Sequence, residues 1–196
     1  MQDKVVASSW MLDILKRFDL VTAIHCKKVA HLSRSIGIQL CIDDEVLDEL
    51  SLAGLLHDLG KIAIPIEIIS KPIDLSFGEY DAMKLHVAAG VAIAEACGCG
   101  DITLNVIRRH HERLDGSGYP AGLSGEEIDQ FSRIVAVADV YSAMTSPRPY
   151  REALTTEAAL AELKNKNKFD ADVVRALVSL IALQELQCPA YNRILV

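Results

Sequence analysis

The chain has 196 residues, 51% of them apolar but only 5% aromatic, with 27 acidic against 20 basic side chains for a net charge of −7. That length suits one domain with a sizeable core, and an aliphatic composition with mixed charge excludes a disordered chain. An acidic balance without a local Lys/Arg cluster excludes the electrostatic footprint of binding to polymeric nucleic acid.

From the N-terminus, Met1 to Trp10 lack the charged-then-apolar pattern of a signal peptide, and no apolar run reaches the roughly 18–20 residues of a transmembrane helix. The expected location is the cytoplasm, with no membrane segment. Apolar residues recur at three- and four-residue steps almost throughout, which predicts an all-α domain with helices near 8–18, 21–36, 44–57, 79–97, 101–111, 128–145, 156–165 and 171–186. Residues 1–20 are read as an N-terminal helix, 21–186 as the core bundle and 187–196 as a tail. Start signals are Asp44, Ser76 with Glu79 as a capping box, Asp101, Thr155 and Asp170.

Two stretches break the helical pattern. Leu59 to Phe77 carries Pro65, Pro72 and an alternation at Ile62, Ile64, Ile66 and Ile68 that reads as an extended connector. Glu112 to Glu127 carries four glycines and Pro120 and reads as a structured loop. Cys26, Cys41, Cys97, Cys99 and Cys188 are odd in number and scattered, so they read as small buried hydrophobes rather than disulfides, and the lone Cys97/Cys99 pair is too small for a closed zinc site. The run Lys164, Lys166, Lys168 and the arginines Arg108, Arg109 and Arg113 read as solvated.

The histidines carry the chemistry. Helical stripes of Val21, His25, Val29, Leu32, Ile36 and of Val46, Leu50, Ala53, His57 place two of them on apolar faces, as do Met83, His86, Gly90, Ile93, Cys97 for a third. His110 and His111 follow one turn after Val106 and Ile107, while Phe131, Val135, Asp139, Ser142 carry an acid inward, and Asp58 adjoins His57. His31 is rotated to the surface. Buried carboxylates need a base or a metal. Imidazole and carboxylate without thiolate suit divalent Fe, Mn, Co, Ni or Zn, and seven such groups are too many for one tetrahedral ion. Two ions with Asp58 as the bridge are expected, the usual device for phosphoester hydrolysis through a metal-activated hydroxide.

The chain also resembles the HD-GYP domains, a branch of the HD superfamily of metal-dependent phosphohydrolases. The resemblance rests on His57-Asp58-Leu59-Gly60-Lys61-Ile62-Ala63-Ile64-Pro65, Lys71-Pro72, His86 with Gly90, and the stretch from His110-His111-Glu112 through Asp115-Gly116-Ser117-Gly118-Tyr119-Pro120. It continues through Ser132 to Tyr141 and Arg148-Pro149-Tyr150-Arg151. It implies an HD-type helical bundle hydrolysing cyclic di-GMP, a bacterial second messenger, to linear pGpG or GMP. The related readings are the same chemistry on 3',3'-cGAMP or another nucleotide, and a weakly active module that binds cyclic dinucleotides.

The family pattern implies His25, His57, Asp58, His86, His110, His111 and Asp139 as ligands, with iron or manganese the commoner metals and Ni, Co or Zn also used. In three-metal members a Glu stands where this chain has Val21, so two ions are expected. Catalytic roles fall on Asp58 and Lys61, the latter on substrate phosphate. Gly118, Tyr119, Pro120, Ser142, Arg148 and Arg151 are implied as substrate contacts, and the Gly-Tyr-Pro loop as a contact for diguanylate cyclase (GGDEF-type) domains. Three departures stand out: Ser142 replaces the usual Asp, and Cys26 and Lys28 replace the usual Ser and Arg.

Overall fold

A computed structural model of the chain describes residues 10–11, 13–147, 152–164 and 167–187, with side chains described as far as 183. Arg148 to Arg151, Lys166 and the tail after 187 lie outside the described residues. The architecture is an all-α bundle. α1 is helical at 10, 11 and 13–18, and is followed by α2 (Leu20–Gln39), α3 (Asp44–Leu56), α4 (Ile66–Ile69), α5 (Phe77–Ala96), α6 (Asp101–Arg109), α7 (Gln130–Met144), α8 (Thr156–Lys164) and α9 (Ala171–Gln187). Among the described residues there is no strand, only an isolated bridge between Asp115 and Ser124. No described helix is long and apolar enough to cross a membrane.

Helix starts follow from side chains that satisfy free amide groups. Asp19 accepts from Val21 and Thr22, Asp129 from Ser132, Thr155 from Ala158, and Asp170 from Asp172 and Val173. Asp43 and Gly100 occupy the N-cap positions expected for Asp44 and Asp101, which fall in the first turns. The isoleucine alternation is not a strand: Leu59–Ala63 is a 3-10 turn and α4 a single helical turn, closed off by Pro65 and Pro72.

Ser76 and Glu79 form the capping box, and Glu79 also receives Lys71 Nζ at 2.6 Å, tying the connector to α5. Those contacts, led by Lys71 and then by Ser76, pull the Glu79 carboxyl down to about 2. A carboxylate lowered on folding stabilises above its unfolded pKa near 4.5 and loses that contribution as pH falls towards 2. Glu79→Gln is therefore expected to lower the melting temperature at pH 7, with the gap to the parent protein closing between pH 5 and pH 2; thermal melts across that range check it.

Among the described residues three apolar clusters fix the helices, the smallest being Leu15, Ala23 and Cys26 between α1 and α2. Val29, Ile36, Leu50, Val135 and Leu177 join α2, α3, α7 and α9, whereas Met11, Leu56, Leu59, Ala94 and Ile107 join α1, α3, α5 and α6. Leu56 and Leu59, both buried, bracket His57 and Asp58 and anchor that pair from either side. Gly60 lies so close to α5 that a Cβ would stand 1.9 Å from the His86 carbonyl oxygen. Cys26 is buried and Cys97 and Cys99 pack on the second cluster, but Cys41 is exposed at a left-handed turn with φ 55°.

Candidate metal centre

The expected ligands converge from five helices or their ends. His25 projects from α2, His86 from α5 and Asp139 from α7; His57 and His110 are the residues that close α3 and α6, with Asp58 and His111 next in line. Two groups of ligand atoms lie within 4.8 Å of one another: Asp58, His86, His110 and His111 in one, and His25, His57 and Asp58 in the other. Asp58 belongs to both. Asp139 joins the second, its Oδ1 2.9 Å from Nε2 of His25 and 3.8 Å from Nε2 of His57.

Ring orientation is set by the main chain. Nδ1 of His57 donates to the Gly54 carbonyl at 2.8 Å, Nδ1 of His86 to Met83 at 2.7 Å, and Nδ1 of His110 to Ile107 at 3.0 Å. A carbonyl only accepts, so each Nδ1 carries a hydrogen, and the neutral rings of His86 and His110 turn an Nε2 lone pair inward. Nε2 of His57 is buried without a hydrogen-bond partner, 3.3 Å from Oδ2 of Asp58. The Nε2 atoms of His86 and His110 face each other at 3.5 Å. Lone pairs directed at one another and at carboxylate oxygens repel unless a cation stands between them, so the donor set fits divalent metal.

The electrostatics agree. Burial, reinforced by the neighbouring imidazoles, holds His110 well below its usual range; burial likewise lowers His86 and takes His111 down to about 3, against the pull of the carboxylates. These three rings stay neutral, the form that binds metal. Burial opposes charge on Asp58 and Asp139, but Lys61 and His57 overcome it for the first and His25 and His57 for the second, so both carboxyls lie well below their usual value. His57 runs the other way: burial disfavours its charge, yet Asp58 and the Cys26 sulfur raise it.

Around the centre, Lys61 Nζ reaches Oδ2 of Asp58 at 2.6 Å. Tyr119 stacks on His111, ring centroids 4.5 Å apart, which brings the Gly118-Tyr119-Pro120 loop against a ligand. Ser142, 1% exposed, meets Nδ1 of His25 at 3.1 Å, behind the ring of an expected ligand. Val21 is 57% exposed, so the buried stripe of α2 runs instead through Thr22, Cys26, Val29, Ser33 and Ile36, with His25 at its edge. His31 is exposed as expected.

Three residues have roles that their sequence alone did not suggest. Arg113 is not solvated: it donates to the carbonyls of His110 and Glu112 and lies over the Phe169 ring. Arg109 pairs with Asp129 at 3.1 Å, leaving Arg108, paired loosely with Glu95, as the solvated one. Glu112, 2% exposed, accepts from the amides of Ala121 at 2.7 Å and Leu123 at 3.0 Å. It staples the Gly-Tyr-Pro loop to the chain beside His111, and a charged residue directly after two ligands was the available signal. Glu112→Ala orphans two amides and is expected to cost about 2 kcal/mol, with Glu112→Gln, which keeps one acceptor, falling between; urea unfolding measures both.

Comparison with known proteins follows the same lines. A family model described as HD domain matches residues 9–173. The chain is 37% identical over 171 residues to a cyclic di-GMP phosphodiesterase of Pseudomonas aeruginosa, covering 86% of this chain and 41% of that protein. It is 34% identical over 171 residues to 3'3'-cGAMP-specific phosphodiesterase 1 of Vibrio cholerae, covering 86% and 40%. The chain thus spans less than half the length of these relatives. Among solved structures, an HDG"Y"P protein from Bdellovibrio bacteriovorus has the same fold, with TM-score 0.67 at 22% identity over 91% of this chain and 62% of that one.

Proposed function

Since this chain belongs to the HD domain family, we propose that it is a metal-dependent phosphodiesterase hydrolysing cyclic di-GMP to pGpG or GMP. The observation that carries the reading is Asp58, shared by two sets of ligand atoms that both aim inward. In this reading Asp58, His86, His110 and His111 hold one divalent ion and His25, His57, Asp58 and Asp139 the other, iron or manganese. Such a pair supplies activated water at neutral pH and neutralises phosphate charge.

The protein's own groups do the rest. Lys61, fixed beside Asp58, presents a compact cation to the non-bridging oxygens as charge accumulates on them. The departing ribose oxygen takes its proton from solvent. No side-chain nucleophile is needed, and the buried Cys26 and Ser142 are not placed to be one. The Gly118-Tyr119-Pro120 loop, packed on His111 through Tyr119, is the substrate-facing element in this reading, and its outer side is the surface offered to a GGDEF-type domain; Arg148 and Arg151 are assigned to the substrate by the family resemblance alone. The same centre serves 3',3'-cGAMP, a reading supported by the relative named for that substrate.

Purified anaerobically and loaded with Mn or Fe, the protein is expected to convert cyclic di-GMP to linear product, with 3',3'-cGAMP run in parallel. Binding without turnover, two metals being present, would overturn the enzymatic reading in favour of a binding module.

A further inference from the structure

The chain has only four Phe, five Tyr and one Trp, yet two of the tyrosines stand together at one edge of the metal centre. Tyr119 stacks on His111, and Tyr80 of α5 stands edge-on to Tyr119 with centroids 6.2 Å apart. Phe77, one turn before Tyr80, is 94% exposed, and Tyr80 itself is 47% exposed. Lys84 Nζ lies 4.8 Å from the Tyr80 centroid and 5.9 Å from that of Tyr119, tethered by Asp81 at 2.6 Å. A cation held over ring faces beside an open aromatic surface is the composition of a nucleobase platform.

We infer that Tyr80, Lys84 and Tyr119 receive one guanine base of the substrate and discriminate it from adenine. The inference rests on the cyclic-dinucleotide reading above and adds the base selectivity of that site. Tyr80 supplies a face that any base can stack on. Lys84 supplies only donors: guanine offers it two acceptors, O6 and N7, whereas adenine keeps N7 but presents an amino donor at position 6 that an ammonium cannot bond. A phosphodiester held at the metals is contiguous with this edge through His111 and Tyr119. The aromatic contribution is independent of base identity and the ionic one is not, so the two side chains separate in their effects.

The test is calorimetric binding of GMP, AMP and inorganic phosphate to the manganese-loaded protein, beside turnover of cyclic di-GMP. Tyr80→Ala is expected to weaken GMP and AMP about tenfold while phosphate is unchanged. Lys84→Met is expected to weaken GMP about tenfold, to the level of AMP, leaving AMP and phosphate where they were. GMP binding that survives both substitutions in an enzyme that turns over cyclic di-GMP overturns the platform alone. Base preference that responds as stated in a protein without turnover overturns the hydrolytic reading alone. Phosphate binding lost together with GMP marks damage to the metals and also counts against the platform.

Discussion

On the proposed function, Asp58→Ala is expected to empty the centre and lower hydrolysis of cyclic di-GMP by more than about 100-fold, since even partners one step removed from a metal cost about 10- to 100-fold when changed. The size of the effect comes from sharing. Asp58 belongs to both groups of ligand atoms, so one truncation weakens both, whereas His25 or His86 belongs to one. The same change leaves Lys61 without the carboxylate that receives it at 2.6 Å, removing a cation's anchor from the phosphate side. Elemental analysis with an activity assay checks the prediction, and Asp58→Asn, which keeps the shape between Leu56 and Leu59, separates lost ligation from lost folding. Two metals retained with a rate within tenfold of the parent would contradict the assignment.

Gly60→Ala is the second large expectation, and it acts through packing. A Cβ there would lie 1.9 Å from the His86 oxygen, 2.4 Å from the Gly90 nitrogen and 2.8 Å from the His86 carbonyl carbon. All three are backbone atoms of α5 and have no rotamer to escape into, so the 3-10 turn Leu59–Ala63 must withdraw. Overpacking of this kind costs about 3 kcal/mol, which for a domain of this size is roughly 10 °C in melting temperature. Metal is expected to fall with stability, because Asp58 and Lys61 flank the glycine while His86 is the group it presses against. Calorimetry and metal content are the measurements; an unchanged transition would show that the contact is looser than its geometry.

The site was more legible in the sequence than its surroundings. Inward histidines and acids are visible because helical spacing puts His57 or His86 in register with apolar neighbours, and a buried carboxylate such as Asp139 demands a partner. What spacing does not carry is the depth of a face. Val21 shares the stripe of His25 yet projects into solvent, because the stripe of α2 that packs against the bundle is centred on Cys26 and Val29. Nor does composition reveal where an arginine bends. Arg113 turns back to carbonyl oxygens of its own segment, a choice set by the loop that Glu112 pins. The isoleucine alternation fails as a strand signal for a similar reason: with Pro65 in its middle and no strand among the described residues to pair with, the segment closes its hydrogen bonds locally.

The outer partners of the rings divide the centre into a rigid part and an adjustable part. His57, His86 and His110 are tethered to peptide oxygens, which no side-chain substitution can replace, so evolution or engineering has little purchase on their basicity. His25 is held at its outer nitrogen by a hydroxyl. Ser142 can accept from that nitrogen or donate to it, so the ring can change tautomer, turning either a hydrogen towards Asp139 or a lone pair towards an ion, without losing its support. A carboxylate in its place would accept only, favouring one tautomer and making the ring a stronger donor to metal. In the proposed centre, Ser142, where this chain departs from the pattern it resembles, would thus be a dial on one ion's affinity, reachable by a single codon change while the other three tethers stay fixed.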